Sequence, residues 1–234
     1  WLYRGKTDRY LGLIKEYLST VLSESGAIGE RLDAFETKLA EVKSLLSELG
    51  KTVKTGEAAA QKKAVLANSL KEWNGAELLY KKDRVDLLID LNAFQKKYTS
   101  KVPVANAPQH KMQKEFDPIA ERIKGLIKQV DHLFKLSGKA FVAADELSND
   151  IRDNHDHDDD NQKNENKKQN NHHNNQRSDW DGRKANRSRK ELDETRKDAV
   201  DQLKLVIYFN RQAHWLQSRF PDAKLADAEG LVKL

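Results

Sequence analysis

The residues best suited to chemistry by type are gathered in one polar stretch. His155, Asp156, His157, Asp158, Asp159 and Asp160, with His172 and His173 further on, are imidazoles and carboxylates, the ligand types of a divalent metal. Their spacing matches no metal-binding pattern. The run NHDHDDDNQKNENKKQNNHHNNQ around them holds no apolar residue that could fix a coordination geometry. The reading is therefore a solvated polar segment, with no metal expected. A second group, Arg183, Lys184, Arg187, Arg189 and Lys190, is basic and could lie along a DNA backbone, binding in a salt-dependent, sequence-blind way. Trp180 alone is a poor platform for stacked bases. His132 and His214 fall inside helical patterns with no nucleophile at a useful spacing. No phosphate loop, dinucleotide fingerprint, nucleophile elbow or HExxH pair is present. There is no cysteine, which excludes thiolate catalysis and disulfides. The chain thus contains no self-sufficient catalytic or cofactor site, and its work must be sought in the elements around these residues.

Those elements are helices. Of 234 residues, 34% are charged and 38% hydrophobic, with only 4 prolines and 11 glycines. Long helices with one buried stripe and a wet remainder account for such a balance. The net charge of +5 spreads over 42 basic and 37 acidic residues, so a nucleic-acid partner is permitted but not required. No apolar run approaches the roughly 20 residues needed to span a bilayer, and no signal peptide is seen. A cytoplasmic setting is expected. The chain begins on Trp1, has its single methionine at Met112 and stops in an apolar segment at Leu234, so it reads as a piece of a longer protein.

The order of helices follows from spacing and punctuation. Thr7 or Asp8 can cap a first helix with apolar positions Tyr10, Leu11, Ile14, Tyr17, Leu18, Val21 and Leu22, interrupted by Ser25-Gly26. Ile28, Leu32, Phe35, Leu39, Val42, Leu46 and Leu49 then alternate steps of four and three, a coiled-coil seam stopped by Gly50. Such a seam is either one arm of an antiparallel hairpin or a surface offered to another chain. A third helix covers 56–73, with Asn74-Gly75 as a turn or kink, and a fourth runs through Leu78, Leu79, Val85, Leu88, Ile89, Leu91 and Phe94 to about Tyr98. Asp117-Pro118 reads as the start of a fifth helix carrying Phe116, Ile119, Ile123, Leu126, Val130 and Leu133, weakened at Ser137-Gly138 and continuing to Leu147. Residues 150–187 read as a flexible low-complexity linker. Ser188 to Glu191 is a capping box, opening a last helix with Leu192, Ala199, Leu203, Val206, Ala213 and Leu216 on one stripe, Asn210 among them, and ending at Pro221. Its aromatics Phe209, Trp215 and Phe220 are candidate docking residues beside the seam. The expected fold is all-α, long antiparallel helices forming a bundle or coiled-coil hairpin: 1–149 as bundle, 150–187 as linker, and 188–234 as a helix and tail packing back on it.

Two end segments, WLYRGKTDRYLGLIKEYL (Trp1 to Leu18) and HWLQSRFPDAKLADAEGLVKL (His214 to Leu234), resemble the modification subunits of type I restriction–modification systems. The first is similar to the segment after their catalytic domain, the second to the segment near their end. The middle matches only as generic helix, and the Asn/His/Asp insertion departs from the family. The resemblance implies a parent adenine-N6 DNA methyltransferase that uses S-adenosylmethionine and an Asn-Pro-Pro-aromatic motif. Neither motif nor cofactor loop occurs in this chain, so no catalytic or cofactor-binding residue is carried over. It further implies that this helical part docks on the DNA-specificity subunit and other subunits of the modification complex, meeting DNA through that complex. A stand-alone helical-bundle or coiled-coil interaction protein is the alternative, and an enzyme with an unrecognised site is a third.

Overall fold

The computed structural model describes residues 2–52, 57–99, 109–159 and 182–219, with side chains described over 23–51, 59–94, 96, 114–149, 182–208 and 211. These residues form four α-helices and no strand: α1 (Leu2–Thr52), α2 (Glu57–Thr99), α3 (Gln109–Asp159) and α4 (Gly182–Arg219). The protein is all-α and packs as a helical bundle.

The seam on α1 is buried to the last residue. Ile28, Leu32, Phe35, Leu39, Val42, Leu46 and Leu49 are all at 3% exposure or less, and each such side chain is worth about 1.5–3 kcal/mol on burial. That total outweighs the roughly 1 kcal/mol a helical glycine costs, which is why α1 runs unbroken through Ser25-Gly26. The same reason carries α3 through Ser137-Gly138, the expected weak point, and past Leu147. There Ser137 is buried with its hydroxyl donating to the Phe134 carbonyl at 2.7 Å, and a Cβ at Gly138 would lie 3.2 Å from the Arg189 guanidinium. Gly138 makes room for an arginine instead of ending a helix. Asn74-Gly75 is likewise mid-helix, with buried Trp73 just before it.

Three helix starts also differ from expectation. Thr7 and Asp8 lie inside α1, which begins at Leu2. Pro118 lies inside α3, since the helix begins at Gln109. A proline there forfeits one hydrogen bond and crowds the preceding turn, but Phe116 in that turn is buried edge-on against Phe94, ring centroids 5.1 Å apart. Ser188 lies inside α4, which begins at Gly182. Helical backbone therefore occupies 150–159 and 182–187 of the span read as linker, while 160–181 lie outside the described residues.

The chain divides into two compact units, each drawing on all four helices. The first takes the described residues of Trp1–Phe35, Leu78–Asp131 and Thr195–Leu234. Within it, Gly29 faces Leu88 and Asp33 accepts from Arg84, so α1 and α2 run antiparallel. Asp83 accepts from Gln129, and Arg122 donates from Nε to Asp90 at 2.9 Å, which makes α2 and α3 antiparallel. Arg196 donates to Asp131 at 2.8 Å, joining α4 to α3. Gln202 donates to the Glu24 carboxylate at 2.6 Å and its backbone carbonyl at 2.8 Å, closing α4 onto α1.

The second unit takes the described residues of Glu36–Glu77 and His132–Glu194. The same four neighbours recur in it. Lys43 reaches Glu77 and donates to Asn74 at 2.8 Å, Lys139 lies 3.6 Å from Glu72, Arg189 sits over the Phe141 ring at 5.3 Å, and Lys38 pairs with Glu191 at 3.0 Å. Each unit is by itself a ring of four antiparallel helical segments. The expected division at 149 and 188 follows the low-complexity run, whereas these units are cut across the helices.

Glu41, Lys38, Glu191 and Arg187 form a chain of charges on the second unit's surface. Hydrogen bonds that Lys38 donates to Glu41 and then to Glu191 raise its ammonium above 10.5, and those donated by Lys38 and then Arg187 lower the Glu191 carboxyl below 4.5. A depressed acid stabilises above its unfolded value and loses that contribution as pH falls through the folded value. A raised base stabilises below its unfolded value and loses it as pH rises through the folded one. The contribution of this chain is thus present between 4.5 and 10.5. Urea midpoints of wild type and Glu191→Gln should differ by a small constant amount across that window, converge below it, and converge at about 1 M salt, where screening falls to roughly 3 Å. A gap that persists at low pH would show that Glu191 acts by packing.

Gly75 and Gly125 lie within α2 and α3 with nothing near the position of an added Cβ. Alanine at either should stabilise the fold by about 0.5–1 kcal/mol, read as a rise in thermal midpoint.

Candidate docking surface

The second helix carries more apolar residues than its core position needs. Ala59, Leu66, Trp73, Tyr80, Leu87 and Phe94 stand seven apart and are all buried, with Leu91 beside them. That one register satisfies the bundle. Leu78, Val85 and Ile89 belong to another face, spaced by seven and four, and are 72%, 51% and 59% exposed, with Leu79 also exposed next to Leu78.

The neighbours of this outer line are segregated by charge. Lys82 and Lys96 fall on it and are exposed, as are Asn92 and Ala93. Neither lysine makes an ion pair among the described residues. The carboxylates beside it are turned away and engaged: Asp83 with Gln129 and Asp86 and Asp90 with Arg122, all on α3, and Glu77 with Lys43 on α1. Arg84 turns to Asp33, also on α1. What remains facing outward is apolar and positive. Contiguous exposed apolar side chains of this kind mark an interaction surface, whereas Val65, Val142 and Tyr208 are exposed singly and need no such account.

The residues singled out from sequence fall elsewhere. The seam from Ile28 to Leu49 is buried within the chain, so it could meet a partner only if the bundle opened. Phe209 and Trp215 are on α4 with side chains outside the described residues, and Phe220 is outside them altogether. Arg183, Lys184, Arg187 and Lys190 are exposed near the start of α4. Arg187 is held by Glu191 at 3.1 Å, and Arg189 is partly buried against Phe141. The side chains of His155, His157 and the acidic run lie outside the described residues, and so do His172 and His173; among the described residues no group of three or more such ligands is placed to hold a metal. In the first unit an open groove of about 620 Å³ lies between α3 and α4, with Lys114, Lys124 and Arg211 alternating with Asp117 and Glu121. Its charges oppose one another, and Lys124 already pairs with Glu121, so it selects no ligand by sign. No helix among the described residues is long and apolar enough to cross a membrane.

The outer face was legible in principle. Once Leu66, Trp73, Tyr80, Leu87 and Phe94 are taken as one register, Leu78, Val85 and Ile89 are left without a place in the core. Reading all apolar positions of α2 as one face hides the surplus, because Tyr80 and Leu87 are then overlooked and the exposed residues take their role.

No protein-family model, no curated protein and no solved structure matches the chain.

Proposed function

We propose that this chain is a helical assembly region of a type I restriction–modification modification subunit, holding the adenine-N6 methyltransferase on its DNA-specificity subunit. The observation that carries this reading is the outer apolar line of α2, Leu78, Val85 and Ile89. A bundle that has already closed its core has no internal use for it, and helix-on-helix docking does. The likeness of the segments Trp1 to Leu18 and His214 to Leu234 to that family supplies the identity of the complex. In this proposal S-adenosylmethionine and the target adenine belong to the parent enzyme's catalytic part, and the exposed Arg183, Lys184, Arg187 and Lys190 meet DNA phosphates through the assembled complex.

Light scattering on the chain alone and mixed with a candidate specificity subunit tests the reading. The expected result is a monomer that joins the subunit in a stoichiometric complex. A monomer that ignores it sinks the proposal, as does the lack of an Asn-Pro-Pro-aromatic motif in the coding sequence upstream of Trp1. The second reading, a stand-alone helical-bundle interaction protein, is favoured by one observation: the Ile28–Leu49 seam is wholly used within the chain.

A further inference from the structure

We infer that the outer face of α2 is a docking site for an acidic amphipathic helix, with Leu78, Val85 and Ile89 meeting its apolar stripe and Lys82 and Lys96 meeting flanking glutamates or aspartates. The inference rests on the assembly reading only in taking the occupant to be a protein.

Three observations select this occupant. The spacing of seven and four repeats on the scale of a helical turn, so an extended helix laid along α2 can meet each residue in succession. Among the described residues the outer line carries no carboxylate, since Asp83, Asp86 and Asp90 engage α3, while Lys82 and Lys96 stay exposed on it. A second copy of this chain would bring lysine against lysine along the same line, which costs affinity. A partner with carboxylates beside its apolar stripe turns that penalty into attraction, and the charge pattern also fixes which helices are refused.

Two synthetic helical peptides sharing one leucine stripe, one flanked by glutamates and the other by lysines, are titrated against the full chain and followed by fluorescence anisotropy. The glutamate peptide is expected to bind about tenfold or more tighter, from attraction at the two exposed lysines together with repulsion of the lysine peptide there. Leu78→Gln with Ile89→Gln should weaken it by about tenfold or more through lost apolar contact. Both positions are exposed, so an unchanged helical circular dichroism signal shows that the fold survives. Lys82→Glu with Lys96→Glu should reverse the preference between the peptides. Equal binding of the two peptides, or no binding of either, overturns the inference. So does a self-associated chain that Ile89→Gln makes monomeric, or binding to phosphatidylglycerol vesicles that Ile89→Gln abolishes while both peptides are ignored. Capture of a specificity subunit undiminished by the double glutamine variant would refute the site and leave the assembly reading standing. A wild-type chain that binds the glutamate peptide but no specificity subunit would do the opposite.

Discussion

Phe35→Ala should lower the stability of the isolated chain by about 3–5 kcal/mol, a large part of the 5–15 kcal/mol a typical domain has. Phe35 is fully buried and meets the Tyr80 ring edge-on, centroids 6.1 Å apart and planes at 77°. Truncation removes the apolar transfer term, leaves a cavity between α1 and α2, and deletes the aromatic pair, itself worth about 0.5–1.5 kcal/mol. The midpoint of urea unfolding should fall with little change in slope, since the surface exposed on unfolding is nearly the same. The result also decides what the seam is for. A seam reserved for another chain would leave the isolated protein almost unaffected by this change while abolishing partner capture. A seam that forms the core gives the large loss stated here.

Trp73→Ala should cost a similar 3–5 kcal/mol, and Trp73→Phe less than half of that. Trp73 is fully buried in the second unit with the Lys43 ammonium 5.4 Å from its ring centre. Its indole N–H is buried and meets no acceptor among the described residues. A buried donor without a partner carries a desolvation penalty of about 1–3 kcal/mol. Phenylalanine removes that penalty and keeps a ring under Lys43, so part of the lost volume is offset. Alanine removes the penalty too but empties the whole site. Comparing the two variants by chemical unfolding separates polar from packing contributions at one position. If phenylalanine proves as costly as alanine, the N–H is satisfied in solution by an ordered water, and packing alone cannot describe the site.

Sequence periodicity reached the parts of this fold in which one register serves one face. The four-three alternation on α1 from Ile28 to Leu49 and on α3 from Phe116 to Leu133 corresponds residue for residue to buried side chains. It failed where local chemistry and tertiary packing disagree. Ser25-Gly26, Asn74-Gly75 and Ser137-Gly138 have the composition of turns, yet each lies beside buried side chains whose packing costs more to lose than a glycine costs to keep. Ser188 has the form of a cap, but the helix gains a further turn from buried Ala185. The two compact units were not legible, since contacts such as Gln202 with Glu24 join residues that no local pattern relates. The outer face of α2 was half legible: the apolar residues were evident, and their direction was not.

The closure of α4 onto α1 bears on how the chain folds. Gln202 and Glu24 are 178 positions apart, whereas Arg84 and Asp33 are 51 apart and Gln129 and Asp83 are 46 apart. Neighbouring helices in the chain can therefore zip together at modest loop-closure cost, while the first and last must find each other across nearly the whole polypeptide. The entropic burden of the topology is concentrated in that one seam between the earliest and latest segments, and its contacts are the ones that complete the ring. In a folding transition state Glu24 and Gln202 should accordingly score near zero while the α2–α3 contacts score high. During synthesis, three helices would wait with an open flank until the fourth leaves the ribosome.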